Sequence, residues 1–359
     1  MKKIDSYIIK KFLGTFFFSL AIIIVIAVVF DFSEKVDEFI DSNAPARAII
    51  FDYYLNFIPY FVVLFAPLFT FISVIFFTSK MAYNTEIIAI LSNGVSFRRL
   101  LLPYMVSATF IALFSFLLNN YVIPTSNAIR LEFDEKYYHG RPVSFTKKNV
   151  HKQINPGVYI YMENYSNVSN IGYKFSIEEF EEGKLVSKLI SDYIRWDSTK
   201  NKWTIHNYYA RTYKNGKEYL STGKSVDTTL NIYPNDFKRR VNIVETMDLT
   251  ELNTFIKEQQ LQGAENLNEY LIEKHRRFSF PFSTFILTII GISVSSRKVR
   301  GGIGMHIGIG LGISFSYILF MQFSSQFAIS GSLQPQLAVW IPNILFAFVA
   351  WYLYRLTPK

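Results

Sequence analysis

The sequence contains no cysteine, and charged residues make up only 18% of its 359 positions. Without cysteine, disulfides, thiolate metal sites and thiol redox chemistry are excluded, so any exported part of the chain must be held together by its own core. With 50% hydrophobic residues, there is too little polar surface for an ordinary water-soluble protein. The composition therefore predicts an integral membrane protein.

The hydrophobic residues gather into six blocks of about 20 residues, the length of helix that crosses a hydrocarbon core. The blocks are Phe12 to Phe30, Ile49 to Thr78, Leu100 to Ile123, Phe278 to Ser295, Ile303 to Phe327 and Leu337 to Tyr354. Pro59 and Pro67 lie inside the second block, and a membrane helix tolerates them where neighbouring groups satisfy the freed backbone. We expect six transmembrane helices.

Positive charge marks one side of the predicted membrane domain. Lysine and arginine are frequent before the first block, between Lys80 and Arg99, in Arg297 to Arg300 and in the C-terminal tail, whereas acidic residues collect between Asp31 and Arg47. Short positive loops face the cytoplasm. Both termini are therefore predicted to be cytoplasmic, and the net charge of +9 indicates orientation rather than a nucleic-acid site.

Between the third and fourth blocks the pattern changes from helical to alternating. Strands are predicted over Val158 to Met162, Lys174 to Glu179, Leu185 to Trp196, Trp203 to Tyr213 and Thr228 to Tyr233. Turns are predicted at Glu182-Gly183, Lys200-Asn201 and Asn215-Gly216. Asp248 and Glu251 have the spacing of a capping box and begin a helix through Gln260. An exported antiparallel sandwich or open barrel follows.

The predicted fold is an α-helical membrane protein with six transmembrane helices and an inserted all-β domain. Residues 1–127 hold the first three helices, with a short cytoplasmic helix near 81–97. Residues 128–270 form the exported β domain and a linker helix, and residues 271–359 form the last three helices.

Motifs for catalysis do not stand out in the sequence. The string Gly223-Lys224-Ser225 lacks the glycine that a phosphate-binding loop needs at position 218, which is Glu218. The five histidines show no pair at metal-ligand spacing and no grouping with serine and aspartate. We therefore expect neither enzymatic activity nor a metal site in this chain.

A short amphipathic stretch lies between the second and third blocks. It runs from Asn84 to Gly94, where the glycine provides a helix stop, and Arg98 and Arg99 follow. One interpretation is an interfacial helix whose basic end contacts lipid headgroups. The other is a coupling helix that lies in a groove of a cytosolic motor subunit, with Glu86 aimed at a basic residue there. The residues alone leave both open.

Glycines recur at every fourth position of the fifth block, at Gly304, Gly308 and Gly312, so another helix can approach its backbone closely. One interpretation of this stripe is ordinary helix packing. The other is an interface between two helices that can separate, because small residues do not interlock.

Charged residues at the outer ends of the blocks are candidates for headgroup contacts. Lys35 and Asp37 follow the first block, and Arg47 and Arg130 lie at the outer ends of the second and third. An arginine can bind a phosphate with two parallel hydrogen bonds, but charges at this depth also serve as a solvated rim or as interfacial anchors.

Two runs resemble motifs of the LptF/LptG permeases, which extract lipopolysaccharide from the bacterial inner membrane. Thr85 to Gly94 is similar to the family's coupling segment, with Glu86 on its coupling glutamate, and Gly331 to Asn343 is similar to the run that opens the last span and favours the LptG branch. The resemblance covers nearly the whole chain, including an exported β-jellyroll between two sets of three spans. Lysines found near the first span in some relatives are replaced by Glu34, Ile40 and Asp41.

The resemblance implies a permease subunit of an ABC transporter. An LptF-like subunit completes a heterodimer, a cytosolic LptB dimer binds ATP and magnesium, and LptC or LptA-like jellyroll proteins receive the lipid, so this chain needs no cofactor of its own. The coupling residues are then Glu86, Ser92, Gly94 and Arg98. The lipid-binding or gate residues are Lys35, Asp37, Arg47, Arg130, Gly304, Gly308, Gly312 and Phe320.

In this scheme the first and fifth spans border the lipid entrance, with acyl chains against Phe16, Phe17, Ile24 and Phe320. The interior of the jellyroll includes Tyr159 and Tyr161. The alternative is a non-transporting membrane scaffold, whose exported domain recruits a partner while the cytoplasmic helix only anchors. Co-purification with an ATPase distinguishes the two.

Overall fold

Long apolar stretches form helices in the computed structural model of the protein, because a helix satisfies its backbone hydrogen bonds internally. The structure describes residues 3–138, 146–214, 216–234, 237, 241–264, 266–296 and 302–357. Six helices in this described part are long and apolar enough to cross a membrane. The predicted six spans are confirmed, while the basic stretch Arg297 to Arg300 lies outside the described residues.

The helices, in chain order, are α1 Lys3–Asp41, α2 Ala46–Tyr83, α3 Glu86–Ser92, α4 Phe97–Tyr137, α5 Leu249–Leu261, α6 Leu267–Ser295, α7 Gly302–Ile329 and α8 Pro335–Leu356. Short π-helical stretches interrupt α2 at Ile49–Tyr54 and α4 at Leu118–Val122. Helix α1 extends beyond the predicted block Phe12 to Phe30 at both ends. Polar residues continue the helix there because water and headgroups solvate them outside the hydrocarbon.

The chain divides into a helical unit (Met1–Tyr138, Glu245–Leu249 and Asn268–Lys359) and a β unit (His139–Val244 and Thr250–Leu267). Helix α2 is central to the helical unit. On one side Val74 and Phe77 belong to a core with residues of α1 and α4, and on another side Phe71 and Ile75 pack with residues of α6, α7 and α8.

Six antiparallel strands form one sheet in the β unit, and consecutive strands are neighbours. They are β1 Thr146–Asn155, β2 Val158–Ser166, β3 Ile171–Glu181, β4 Lys184–Asp197, β5 Lys202–Lys214 and β6 Lys217–Thr228. Glu182 and Gly183 form the predicted two-residue turn, both with positive φ, and Asn201 ends the next one. Asn215 of the third predicted turn lies outside the described residues. The inserted antiparallel β domain is confirmed.

The inward face of β2 is the opposite of the one predicted. Ile160 is 2% exposed and Met162 is fully buried, whereas Tyr159 is 44% exposed. Tyr161 on the same side is also not part of the buried cluster of this unit. Alternation fixes which residues share a face but not which face is buried, and a tyrosine hydroxyl tolerates water better than isoleucine does.

The sequence patterns did not predict the two edge strands of the sheet, β1 and β6. They also predicted one strand, Thr228 to Tyr233, that the structure does not form. Strands β1 and β6 consist mostly of lysine and other polar residues, so they carry little apolar alternation. Thr228 to Tyr233 lies mostly beyond the end of β6; there Ile232 is buried, and its carbonyl oxygen accepts a 2.8 Å bond from Nε1 of the buried Trp203. This segment therefore closes over the inner face of the sheet instead of extending it. The predicted helix through Gln260 is confirmed as α5.

Candidate functional site

The short helix α3 joins α2 to α4 and has one apolar side turned inward. Ile87 is buried in the core shared by α1, α2 and α4, and Ile90 and Leu91 pack against that core. The outward side exposes Ile88 and Ser92. A seven-residue helix is marginal by itself, so this packing is what fixes its position.

Backbone geometry delimits α3 at both ends. Thr85 precedes the helix with a φ of 62°, a conformation that a β-branched residue rarely adopts. Gly94 follows with a φ of 80°, where glycine carries no steric cost. These two backbone conformations therefore limit the exposed helical surface to the residues between Thr85 and Gly94.

The Glu86 carboxylate lies at the beginning of α3 and contacts α1. Its Oε2 accepts a 3.2 Å hydrogen bond from the Tyr7 hydroxyl, and its Oε1 accepts one of 3.3 Å from Nδ2 of Asn84. Tyr7 was not singled out from the sequence, because the two residues are 79 positions apart and neither belongs to a common motif.

An ion pair ties α1 to the start of α4. The Arg99 guanidinium donates Nη1 to Oδ1 of Asp5 at 2.8 Å and Nη2 to Oδ2 at 2.7 Å. Ser96 caps α4 by accepting a hydrogen bond from the Arg99 backbone nitrogen.

The predicted coupling residue Arg98 is exposed. It lines an open cleft of about 590 Å³ together with Trp351 and Arg355 of α8.

Near the C-terminal end of α1, the Asp31 carboxylate accepts hydrogen bonds from three donors. Nζ of Lys35 lies 2.8 Å from Oδ1, and the hydroxyls of Tyr53 and Tyr54 donate from 3.3 and 3.2 Å. Lys35 also contacts the Tyr53 hydroxyl. The ammonium of Lys35 therefore has a carboxylate partner within its own chain.

The other predicted headgroup residues differ in their surroundings. Asp37 and Arg47 are exposed, while Arg130 is half-buried. Among the described residues, Nε of Arg130 is buried without a hydrogen-bond partner. Such a donor is costly to leave unsatisfied, so Arg130 is suited to donating a hydrogen bond to a further ligand or to water.

A buried charge cluster holds the segment that precedes α5 against the helical unit. Arg277 is almost completely buried, donates Nη1 to the Met247 carbonyl at 2.8 Å and pairs with Glu273. Asn127 of α4 donates to the Glu245 carbonyl at 3.3 Å. Burial raises the pKa of the Glu245 carboxyl above its usual range; Glu273 adds to the rise, and nearby arginines oppose it.

The glycine stripe of α7 faces away from the rest of the described chain. No described atom outside the local backbone lies within 4 Å of a Cβ built at Gly304, Gly308 or Gly312. Gly310, on another side of the helix, touches Ile75 of α2. The stripe is therefore available to another helix or to lipid.

Among the six spans, α1 and α7 are buried least. In their most apolar windows 17% and 22% of residues are buried, against 33% to 61% in the other four. Phe17 and Phe320 are exposed, but Phe16 is completely buried in the core with α2 and α4. The assignment of Phe16 to an acyl-chain surface was wrong because it lies on the inward stripe of α1.

A comparison with protein-family models matches the family described as "Lipopolysaccharide export system permease LptF/LptG" over residues 6–356. The chain belongs to the LptF/LptG family. The match spans both halves of the membrane unit and the inserted sheet of this LptF/LptG permease. No curated protein matches the chain.

The second run behind the resemblance has a structural role in this permease. Asn343, which follows Pro342 in α8, donates Nδ2 to the Ser279 carbonyl of α6 and accepts the Tyr317 hydroxyl of α7, both at 3.0 Å. One amide thereby joins three spans.

Among the described residues of the permease, no group of three or more potential metal ligands comes together.

Proposed function

We propose that this LptF/LptG permease is one half of an ATP-driven transporter that extracts lipopolysaccharide from the inner membrane and passes it to a periplasmic bridge of LptC or LptA-like jellyroll proteins. A related six-span subunit is the other half. A cytosolic LptB dimer binds ATP and magnesium and hydrolyses the nucleotide, so the permease chain requires no cofactor. Both termini and α3 face the cytoplasm, and the β unit faces the periplasm.

The observation that carries this proposal is the two-sided construction of α3. Its inner side is fixed in the core through Ile87, so a force applied to its outer side reaches the membrane helices. The outer side offers the ATPase a small surface that includes Glu86, Ser92 and Gly94, with Arg98 nearby. A helix that only anchored on lipid would not need a buried apolar side facing the protein.

The entrance for lipid lies along α1 and α7, which both flank α2 and leave faces open to a partner or to lipid. Gly304, Gly308 and Gly312 allow a partner helix to approach and to separate. Phe320 and the exposed residues of α1 contact acyl chains. At the outer rim, Arg47 and Arg130 bind the phosphate or carboxylate groups of the headgroup, and Lys35 and Asp37 border them.

In the β unit, an apolar opening supports onward transfer. A cavity of about 260 Å³ opens at one end of the sheet, and its lining includes Ile154, Val158, Ile177, Leu189 and Leu230. Such an apolar lining favours acyl chains because their surface is removed from water there. The sequence of the last span favours the LptG branch for this subunit.

The deciding experiment is co-expression with LptF-like and LptB subunits, followed by purification through a tag on this chain. We expect the ATPase to co-purify with the wild type and to be lost from Glu86→Ala, while membrane insertion stays normal. A wild-type chain that never retains the ATPase would favour the membrane scaffold.

Photo-crosslinking tests the lipid assignment separately. A crosslinker at the exposed Val25 of α1 is expected to capture lipopolysaccharide, whereas one at the buried Phe16 is the matched control and is not. Capture of bulk phospholipid alone from position 25 would refute the lipopolysaccharide assignment without affecting the ATPase result.

A further inference from the structure

Helix α1 is attached at its inner end to both sides of the α3 segment. Tyr7 donates to Glu86 at the beginning of α3, and Asp5 receives two bonds from Arg99 just after it. We call these four residues the inner latch. Tyr7 and Glu86 are 79 positions apart in the chain and Asp5 and Arg99 are 94 apart, so the latch exists only in the folded protein.

The Asp5–Arg99 pair is the stronger part of the inner latch. The side chain of Asp5 is only 6% exposed, and both of its oxygens are engaged by one guanidinium. Two parallel charge-assisted bonds fix orientation as well as distance, which a single bond to a tyrosine does not. Lysine cannot reproduce this geometry because its ammonium is a point charge.

Apolar packing continues from the latch along one stripe of α1. Ile8, Phe12, Phe16 and Leu20 are all buried in the core that also contains Ile87 of α3. Beyond Leu20 the next buried residue of α1 is Phe39. Packing therefore ties the inner half of α1 to the α3 segment, whereas between Leu20 and Phe39 the helix contacts the cores only through partly buried residues such as Ile23, Ile24 and Val28.

The outer end of α1 is anchored to a different element. Asp31 receives hydrogen bonds from Tyr53 and Tyr54 in the π-helical stretch of α2, and Phe39 packs with the same tyrosines. At about 1.5 Å per residue, Asp31 lies about 39 Å along the helix from Asp5. No proline interrupts α1, so it can transmit a displacement over this distance without a kink.

We propose that α1 carries the movement of the α3 segment across the membrane, and that Asp5 and Arg99 are positioning residues for this step. The inference rests on the proposed docking of an ATPase at α3. When the ATPase displaces α3 and the start of α4, Arg99 pulls the base of α1 with them. The helix then shifts its exposed stretch and the tyrosine cluster at its outer end, which lie on the proposed lipid entrance.

The test uses the complete complex in proteoliposomes, with lipopolysaccharide transfer to a periplasmic acceptor and ATP hydrolysis measured together. We expect Asp5→Asn and Arg99→Lys to retain the ATPase and to hydrolyse ATP within about twofold of the wild-type rate. Lipid transferred per ATP is expected to fall at least about tenfold. The double reversal Asp5→Arg with Arg99→Asp should recover a substantial part of this ratio.

The matched controls are Glu218→Gln and Arg211→Lys, because these residues form a 2.7 Å ion pair on the β sheet. Both are expected to leave the ratio unchanged. A proportional loss of hydrolysis and transfer in the latch variants, or a wild-type ratio, would overturn the proposal. Loss of the ATPase from the wild-type chain would instead contradict the proposed function itself.

A second measurement does not depend on the activity of the variants. The chain has no cysteine, so spin labels can be placed at Val25 of α1 and Leu113 of α4, both exposed. In a complex with cysteine-free partners, the distance between the labels is expected to change when ATP is trapped. Asp5→Asn should abolish most of that change, and an undiminished change would refute the role of the latch.

Discussion

Tyr317 of α7 and Asn343 of α8 share a hydrogen bond of 3.0 Å in a place where both side chains are almost completely buried. The same asparagine reaches the Ser279 carbonyl of α6. Hydrogen bonds between helices fix their mutual rotation where lipid offers no hydrophobic preference between helix faces. The last three spans are therefore joined by one side chain.

Replacing this asparagine is expected to loosen all three helices. Asn343→Ala removes both bonds and should lower the free energy of unfolding by about 1–2 kcal/mol. Tyr317→Phe removes one of them and should cost less. Thermal melting in detergent of the single and double variants measures the coupling between the two residues, and strictly additive effects would contradict a shared bond.

Two glycines of α7 provide a matched test of its faces. Gly308→Leu projects into open space, so we expect normal folding of this chain but weaker association with the partner permease subunit. Gly310→Leu overlaps the Ile75 side chain and should destabilise the chain itself. Size-exclusion chromatography and melting of both variants separate the effects. Equal loss of stability at the two positions would show that the stripe is not an outer face.

Alanine substitutions at Gly94, which follows α3, and at Gly14, inside α1, are expected to change helix stability in opposite directions. Gly94→Ala must place an alanine at a φ of 80°, which costs about 1 kcal/mol and should raise hydrogen exchange in residues 86–92. Gly14→Ala lies inside α1 with open space around it and should stabilise the helix by up to about 1 kcal/mol. Exchange mass spectrometry reports both, and slower exchange of α3 in Gly94→Ala would be inconsistent with the left-handed turn.

The buried carboxyl of Glu245 predicts a pH dependence of stability. Its pKa is raised in the folded protein, so the folded state binds the proton more tightly than the unfolded state. Stability from this group is present below the unfolded pKa near 4.5 and is lost as pH rises through the folded pKa. Glu245→Gln should therefore raise the melting temperature more at pH 8 than at pH 4.

The exposed Glu258 on α5 provides a matched control, because Glu258→Gln makes the same chemical change on the surface of the β unit. That variant is expected to change the melting temperature little at either pH. If Glu245→Gln lowered the melting temperature at pH 8, the attraction of nearby arginines for this carboxylate would outweigh the cost of its burial.

Neighbouring residues of β2 test which face of the sheet is internal. Ile160→Ala leaves a cavity in the core and is expected to cost about 2–5 kcal/mol, whereas Tyr159→Ala on the exposed face should cost far less. Limited proteolysis of the β unit in the intact chain measures the difference. Greater protease sensitivity of the Tyr159 variant would restore the face first predicted.

The number of spans, the inserted β domain and α5 could be predicted because hydrophobic length and periodicity are local properties. The ends of α1 and strands β1 and β6 could not, since solvated polar residues continue a helix or an edge strand without an apolar signal. Glu86 and Asn343 were found through their motifs. Tyr7 and Asp5 carry no such signal and were missed.

By itself, the sequence determined that this chain crosses a membrane six times and carries a cysteine-free β domain, because these features depend on how many apolar residues follow one another. Only the tertiary structure decided that Phe16 and Ile160 point inward, that the glycine stripe of α7 points outward, and that Asp5 meets Arg99. Such choices depend on the packing of distant segments, where a one-residue change of phase or a rotation of a helix exchanges buried and exposed faces.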